Sequence, residues 1–275
     1  MKRWAVAGAA TGVLVALVAF APAAWLAGAL ASATGQRLLL ADARGTVWNG
    51  NAVLILTGGE GSRDASALPD RLHWRLRPTG AGFTLHASQP CCINGEQPLR
   101  VAFGLGRVRL ELPAAGADAG TGLAAGPGPA FGQWPAAWLT GLGTPWNTLR
   151  PTGTLQLSSP GLVLEQVQGR WRFTGRLDLT LATLASRLST LDSLGSYRLT
   201  LSGDAAGEQP ARLQLLTTEG ALQLSGSGEL LGSGAASRLR FRGQASAAGG
   251  YEAALGNLLN IIGRRQGASS IISIG

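Results

Sequence analysis

Lysine is almost missing from this chain of 275 residues: Lys2 stands alone, so the formal net charge of +8 is carried by arginine. The arginines are spread along alternating strands and never form a run of five or more, which argues against a nucleic-acid surface and favours a solvated sheet face. Histidine is limited to His73 and His86, and no G-x-S-x-G accompanies them, so the nucleophile-and-base pairing of a hydrolase is lacking. No C-x-x-C, H-x-x-x-H or Asp-rich loop occurs, and the 15 carboxylates are scattered, which argues against a metal site. No G-x-x-x-x-G-K-[ST] phosphate cradle is present either, so nucleotide-driven work is not expected. The expectation is a protein that is not an enzyme, without catalytic, cofactor-binding or metal-binding residues and without a cofactor.

Cysteine is nearly as scarce as histidine, with only the adjacent Cys91 and Cys92. Two cysteines do not complete a zinc site, and neighbouring residues close a disulfide only in a strained ring. Free loop thiols, a local bridge and one intermolecular bridge all stay open.

Charge is lacking most completely between Trp4 and Leu30, an unbroken apolar run preceded by Lys2 and Arg3. As one helix this run is roughly 40 Å long against a hydrocarbon layer of about 30 Å. Trp4 and Trp25 fall where interfacial aromatics belong. The reading is a cytoplasmic end at 1–3, a transmembrane anchor at 4–30 and an exported remainder, periplasmic in a bacterium. A cleaved signal peptide ending at Ala29-Leu30-Ala31 is the competing reading, with Pro22 as an early helix stop. The run is about twice the usual length of a signal's apolar region, which favours the anchor.

What the remainder has in abundance is glycine, 41 residues, together with strict alternation of apolar and polar side chains. In "LHWRLRP", Leu72, Trp74 and Leu76 share one face and His73, Arg75 and Arg77 the other. In "RWRFTGRLDLTL", Trp171, Phe173, Leu177, Leu179 and Leu181 oppose Arg170, Arg172, Thr174, Arg176, Asp178 and Thr180. "YRLTL" and "SRLRFRGQA" repeat the pattern, the latter placing Leu239 and Phe241 against Arg238, Arg240 and Arg242. The fold class is mainly β: an antiparallel β-rich domain after one transmembrane helix. It falls into halves at 37–112 and 134–275, separated by a Gly/Ala/Pro-rich linker at 113–133. A short helix is expected in "WPAAWLTGL", and a C-terminal amphipathic helix in "YEAALGNLLNIIGRR", with Leu255, Leu258, Leu259 and Ile262 as its stripe. Gly263 suits the end of that helix and Arg264 its negative pole, and "ASSIISIG" adds a last strand.

Residues 44–56, "RGTVWNGNAVLIL", read as the first exported strand, with Trp48, Ala52, Leu54 and Leu56 on one face and Val47, Val53 and Ile55 on the other. Its second half is apolar on both faces, so both should be covered. Gly45 and Gly50 then serve as bulge or close-approach points around a packed Trp48.

Several of these stretches carry a resemblance. "GTVWNGNA", "WRLRP", "LGSYRLTLSG" at 194–203, "GALQLSGSGEL" at 220–230 and above all "LGNLLNIIGRRQGASSIISIG" at 255–275 resemble the type II secretion system protein N family. The insert at 113–129 and the cysteine pair do not match its pattern. The resemblance implies a single-pass inner-membrane protein with a periplasmic β-rich domain, an accessory of the machinery that exports folded proteins across the outer membrane. The implied partners are other inner-membrane and periplasmic subunits, the secretin among them, with no nucleic acid and no nucleotide. Candidate structural or interaction residues are Gly45, Trp48, Gly50, Arg172, Arg240, Leu258, Leu259, Gly263 and Arg264. The alternative is a periplasmic lipid-binding or lipid-transfer protein whose greasy face lines a trough. A fully packed interior would remove that alternative.

Overall fold

Apolar runs that meet proline do not continue as helix, because the ring removes an N–H and pushes the preceding residue to extended geometry. In the computed structural model, which describes residues 2–93, 98–112, 130–167, 170–204, 209–231 and 238–275, the N-terminal run obeys this rule. Helix α1 (Lys2–Ala19) stops short of Pro22, and α2 (Ala23–Ala33) starts after it. Pro22 is extended, at φ −67° and ψ 145°, and bridges to Thr46, while Val47 donates its N–H to the Ala21 carbonyl at 2.9 Å. The expected single helix over 4–30 therefore does not form. Among the described residues, no helix is long and apolar enough to cross a membrane.

The alternation read in the sequence builds fifteen strands among the described residues, and all of them join one antiparallel sheet. Strands β1 (Leu38–Gly45), β2 (Asn49–Thr57), β3 (Ala65–Thr79), β4 (Gly82–Ser88), β5 (Leu99–Gly104) and β6 (Arg107–Leu112) follow in order as hairpins. Strand β7 (Ala130–Pro135) pairs with β8 (Pro151–Val167) off the main strand order, so residues 130–133 of the expected linker are strand; its remainder, 113–129, lies outside the described residues. A 3₁₀ helix (Ala136–Leu142) stands where the short helix was expected, and a one-turn helix α3 (Trp146–Leu149) follows it. After β8 come β9 (Arg170–Ser186), β10 (Gly195–Gly203), β11 (Ala211–Glu219), β12 (Leu222–Leu231) and β13 (Arg238–Ala247). Helix α4 (Glu252–Ile262) leads into β14 (Arg264–Gln266) and β15 (Ser269–Ile274), which adds to β13. Because β6 pairs with β8 from Arg107↔Val167 to Leu112↔Leu162, the two halves share one sheet.

Each half keeps its own core. In the first, α2 lays Ala23, Leu26, Ala27 and Leu30 against Leu40, Ala52, Leu54, Leu68 and Trp74. The short segment after the proline thus covers one side of β2. In the second half, α4 buries Leu255, Leu258 and Leu259 against Leu194, Tyr197, Leu222 and Ala245. That stripe is the one its spacing predicts.

The 44–56 stretch is different from its reading. It is not one strand: β1 ends at Gly45, β2 begins at Asn49, and Thr46-Val47-Trp48 make the hairpin turn between them. The buried indole is Trp74, which lies across Gly50 where any Cβ would collide with its ring. Trp74 Nε1 donates to the carbonyls of Val47 at 3.1 Å and Thr46 at 3.3 Å. Trp48 is only half-buried, tilted against Phe83 at 5.6 Å between ring centroids, with its Nε1 donating to the Val18 carbonyl at 2.7 Å. Gly50 thus makes room for the tryptophan across the ladder, which is invisible to a reading along one strand.

Candidate functional site

The apolar rows of the second half line up across the sheet because the register holds them there. Leu157 pairs with Leu179, Leu179 with Leu199, and Leu199 with Leu215; one step along, Leu155 pairs with Leu181 and Leu181 with Tyr197. On β12 the row meets Gly226, opposite Leu215, and the ring of Phe241 occupies the space a side chain there would need. Helices α3 and α4 stand over this face, contributing Trp146 and Leu149 from one side and Leu258, Ile261 and Ile262 from the other. They do not fill it. A cavity of about 460 Å³ remains between sheet and helices.

Its wall is almost wholly aliphatic and aromatic, and its two hydroxyl-bearing side chains are already engaged. Tyr197 donates its phenol to the Leu222 carbonyl at 3.0 Å, and Ser186 donates to the Leu149 carbonyl at 2.6 Å. Burial pushes the Tyr197 phenol well above the ordinary tyrosine range, so it stays neutral and donating. Among the described residues, no charged side chain lines the cavity. Such a wall binds apolar matter and offers no acid, base or nucleophile.

Pro151 lines both this cavity and a second, polar cleft of about 410 Å³ formed by Asp64, Ala65, Ala137, Thr140, Asn147, Arg150, Thr152 and Arg187. The side chain of Asn147 donates to both Asp64 carboxylate oxygens at 3.3 Å. A third cleft, of about 510 Å³, gathers both histidines: His73 and His86 with Asn49, Trp74, Arg75, Arg77 and Ser88. Among the described residues, no group of three or more His, Cys, Asp or Glu side chains could hold a metal ion.

Elsewhere the polar face of the sheet carries a buried charge. Asp178 is fully buried, with Arg176 Nε at 2.8 Å and Thr200 Oγ1 donating at 2.6 Å, beside the register shift of β8 between Ser158 and Gly161. At the first edge, Asp42 is held below the usual carboxylate range, first by the hydrogen bond from Arg71 and then by that from Arg44. Cys91 and Cys92 form a disulfide in the turn after β4, which selects the local bridge from the three open possibilities.

The model of one protein family, type II secretion system protein N, matches residues 36–271. The chain belongs to that family. The match starts after α2 and runs from β1 into β15, so it takes in nearly the whole sheet, and α1 and α2 precede it. No curated protein and no solved structure is significantly similar to this protein N chain.

The residues singled out from the sequence are dispersed over this body. Gly45, Trp48 and Gly50 sit at the β1–β2 turn, and Arg172 and Arg240 are exposed on β9 and β13. Leu258 and Leu259 are buried under α4, and only Leu258 reaches the cavity. Gly263 is extended at φ −165° rather than a left-handed cap, and Arg264 begins β14 instead of capping the helix, because the chain turns at once into a strand pairing with β15. The residues missed were Leu199, Leu215 and Trp146 as cavity walls and Arg150 and Arg187 at its side. Alternation identified the leucine face, but the gap above it depends on where two helices far apart in sequence come to rest.

Proposed function

We propose that this chain is an accessory, non-catalytic component of the type II secretion apparatus, held at the inner membrane with its sheet in the periplasm. It works there through contacts with other subunits of the apparatus, the secretin among them. The observation that carries the reading is the family match over residues 36–271. Membrane attachment is supported by α1, on which Val13, Leu14, Val15, Leu17, Val18 and Phe20 are all exposed. Its 18 residues rise about 27 Å. That falls short of the roughly 30 Å hydrocarbon layer, in keeping with a helix that does not cross it by itself. The exposed arginines of the polar face, Arg172 and Arg240 among them, are the contact candidates, suited to acidic partner surfaces.

Deleting the gene and measuring secreted protein in medium and periplasm tests the role. Retention in the periplasm, relieved by the wild-type gene, is expected; unchanged release with unchanged levels of every other subunit refutes it.

A further inference from the structure

The secretion role uses neither the apolar cavity nor the polar cleft beside it, and the two are built as neighbours. Pro151 pairs with Ser186 at the end of the β8–β9 register, and the residues just beyond that pair, Arg150 and Arg187, flank the end of the ladder. Both are exposed, both line the polar cleft, and neither has an ion pair or a side-chain hydrogen bond among the described residues. The carboxylate in that cleft, Asp64, is engaged by Asn147. Two guanidinium groups without an ion-pair partner lining one cleft make it attractive to an anion. Immediately inward, the same strands present the leucine wall, where Tyr197 and Ser186 have no hydroxyl proton left to offer a guest. A polar ligand entering there would lose its hydrogen bonds without replacement, whereas an alkyl chain loses nothing. The volume, about 460 Å³, lies low in the roughly 300–1,000 Å³ range of small-molecule pockets, which suits one chain rather than a bulky ligand.

The geometry points to a binding site for an amphiphile with one alkyl chain and an anionic head. The chain lies in the cavity among Leu181, Leu199, Leu215 and Trp146, and the head, a carboxylate or a phosphate, sits between Arg150 and Arg187. Ile261, half-exposed at 49% on the last turn of α4, also lines the cavity and gives the chain an apolar border toward solvent. This site stands apart from the secretion role and is tested apart from it.

The full chain, kept in solution by an amphipol, is incubated with diazirine-bearing palmitate, irradiated and mapped by mass spectrometry. Saturable labelling of the β9–β11 peptides is expected, displaced by unlabelled palmitate and not by inorganic phosphate. The double variant R150Q/R187Q, confined to exposed side chains, weakens palmitate about tenfold by removing charge-assisted hydrogen bonds, and leaves hexadecanol as tight as before. Filling the cavity with L199W weakens both. If L199W does not fold, the contrast between palmitate and hexadecanol in R150Q/R187Q decides alone. Stronger competition by hexadecyl phosphate than by palmitate assigns a phosphate head, and the reverse a carboxylate. Labelling confined to α1, palmitate binding unaffected by R150Q/R187Q, or equal loss of both probes overturns the proposal.

Discussion

An interior that keeps a cavity should respond unevenly to truncation, and two leucines of the second half make the comparison. Leu259 is 1% exposed, packed under α4 and absent from the cavity wall, whereas Leu199 is half-buried and faces the empty volume. Either change to alanine removes three carbon groups, which at about 0.8 kcal/mol each amounts to about 2.4 kcal/mol when all were fully withdrawn from water. At Leu259 a new void is added, and the sum falls at about 3–5 kcal/mol, as for other large-to-small changes in packed cores. At Leu199 the transfer contribution is partial, and the change enlarges an existing space instead of opening one, so the cost is about 1–2 kcal/mol. Urea unfolding of the full chain in amphipol, followed by far-ultraviolet circular dichroism, reads the difference, provided the slope is unchanged between variants. Equal costs at the two positions would refute the reasoning, because they would mean that Leu199 is packed as tightly as Leu259.

Trp74→Ala removes the indole buried over Gly50 and should cost about 3–5 kcal/mol, while Trp48→Ala, at the half-buried turn, should cost less than half of that; thermal unfolding of the two variants ranks them. Asp178→Ala leaves Arg176 without its buried partner and should destabilise by about 3–5 kcal/mol, measurable by the same urea titration. The raised affinity of Tyr197 for its proton means that the folded state keeps a proton the unfolded state releases above about pH 10. Stability is therefore full below that pH and falls as pH rises through it. Tyr197→Phe should flatten this alkaline decline, and an identical decline in the variant would show that other groups cause it.

The sheet was legible because alternation is a local property: the face shared by Leu177, Leu179 and Leu181 is set by the pleat alone, whatever the strand pairs with. The stripe of Leu255, Leu258 and Leu259 was legible for the same reason at helical period. Features that depend on the neighbour were not. Gly50 reads along the chain as a close-approach point for Trp48, whereas the ring it makes room for, Trp74, lies across a hairpin. The N-terminal run looked like one long helix because hydropathy does not weigh a single Pro22 against the hydrogen bond that Val47 makes to Ala21. Arg150 and Arg187 looked like two more solitary arginines, since only the pairing of β8 with β9 brings the two distant positions to one cleft.

The central claim is that the sheet works by touching other parts of the secretion apparatus. A photoreactive amino acid placed at Arg172 or Arg240, on the polar face, and irradiated in cells that are actively secreting tests this most directly. The account predicts discrete crosslinks to subunits of the apparatus, lost when the crosslinker is moved to buried Leu259. Crosslinks to none of those subunits from either exposed position, with the protein present at its normal level, would contradict it.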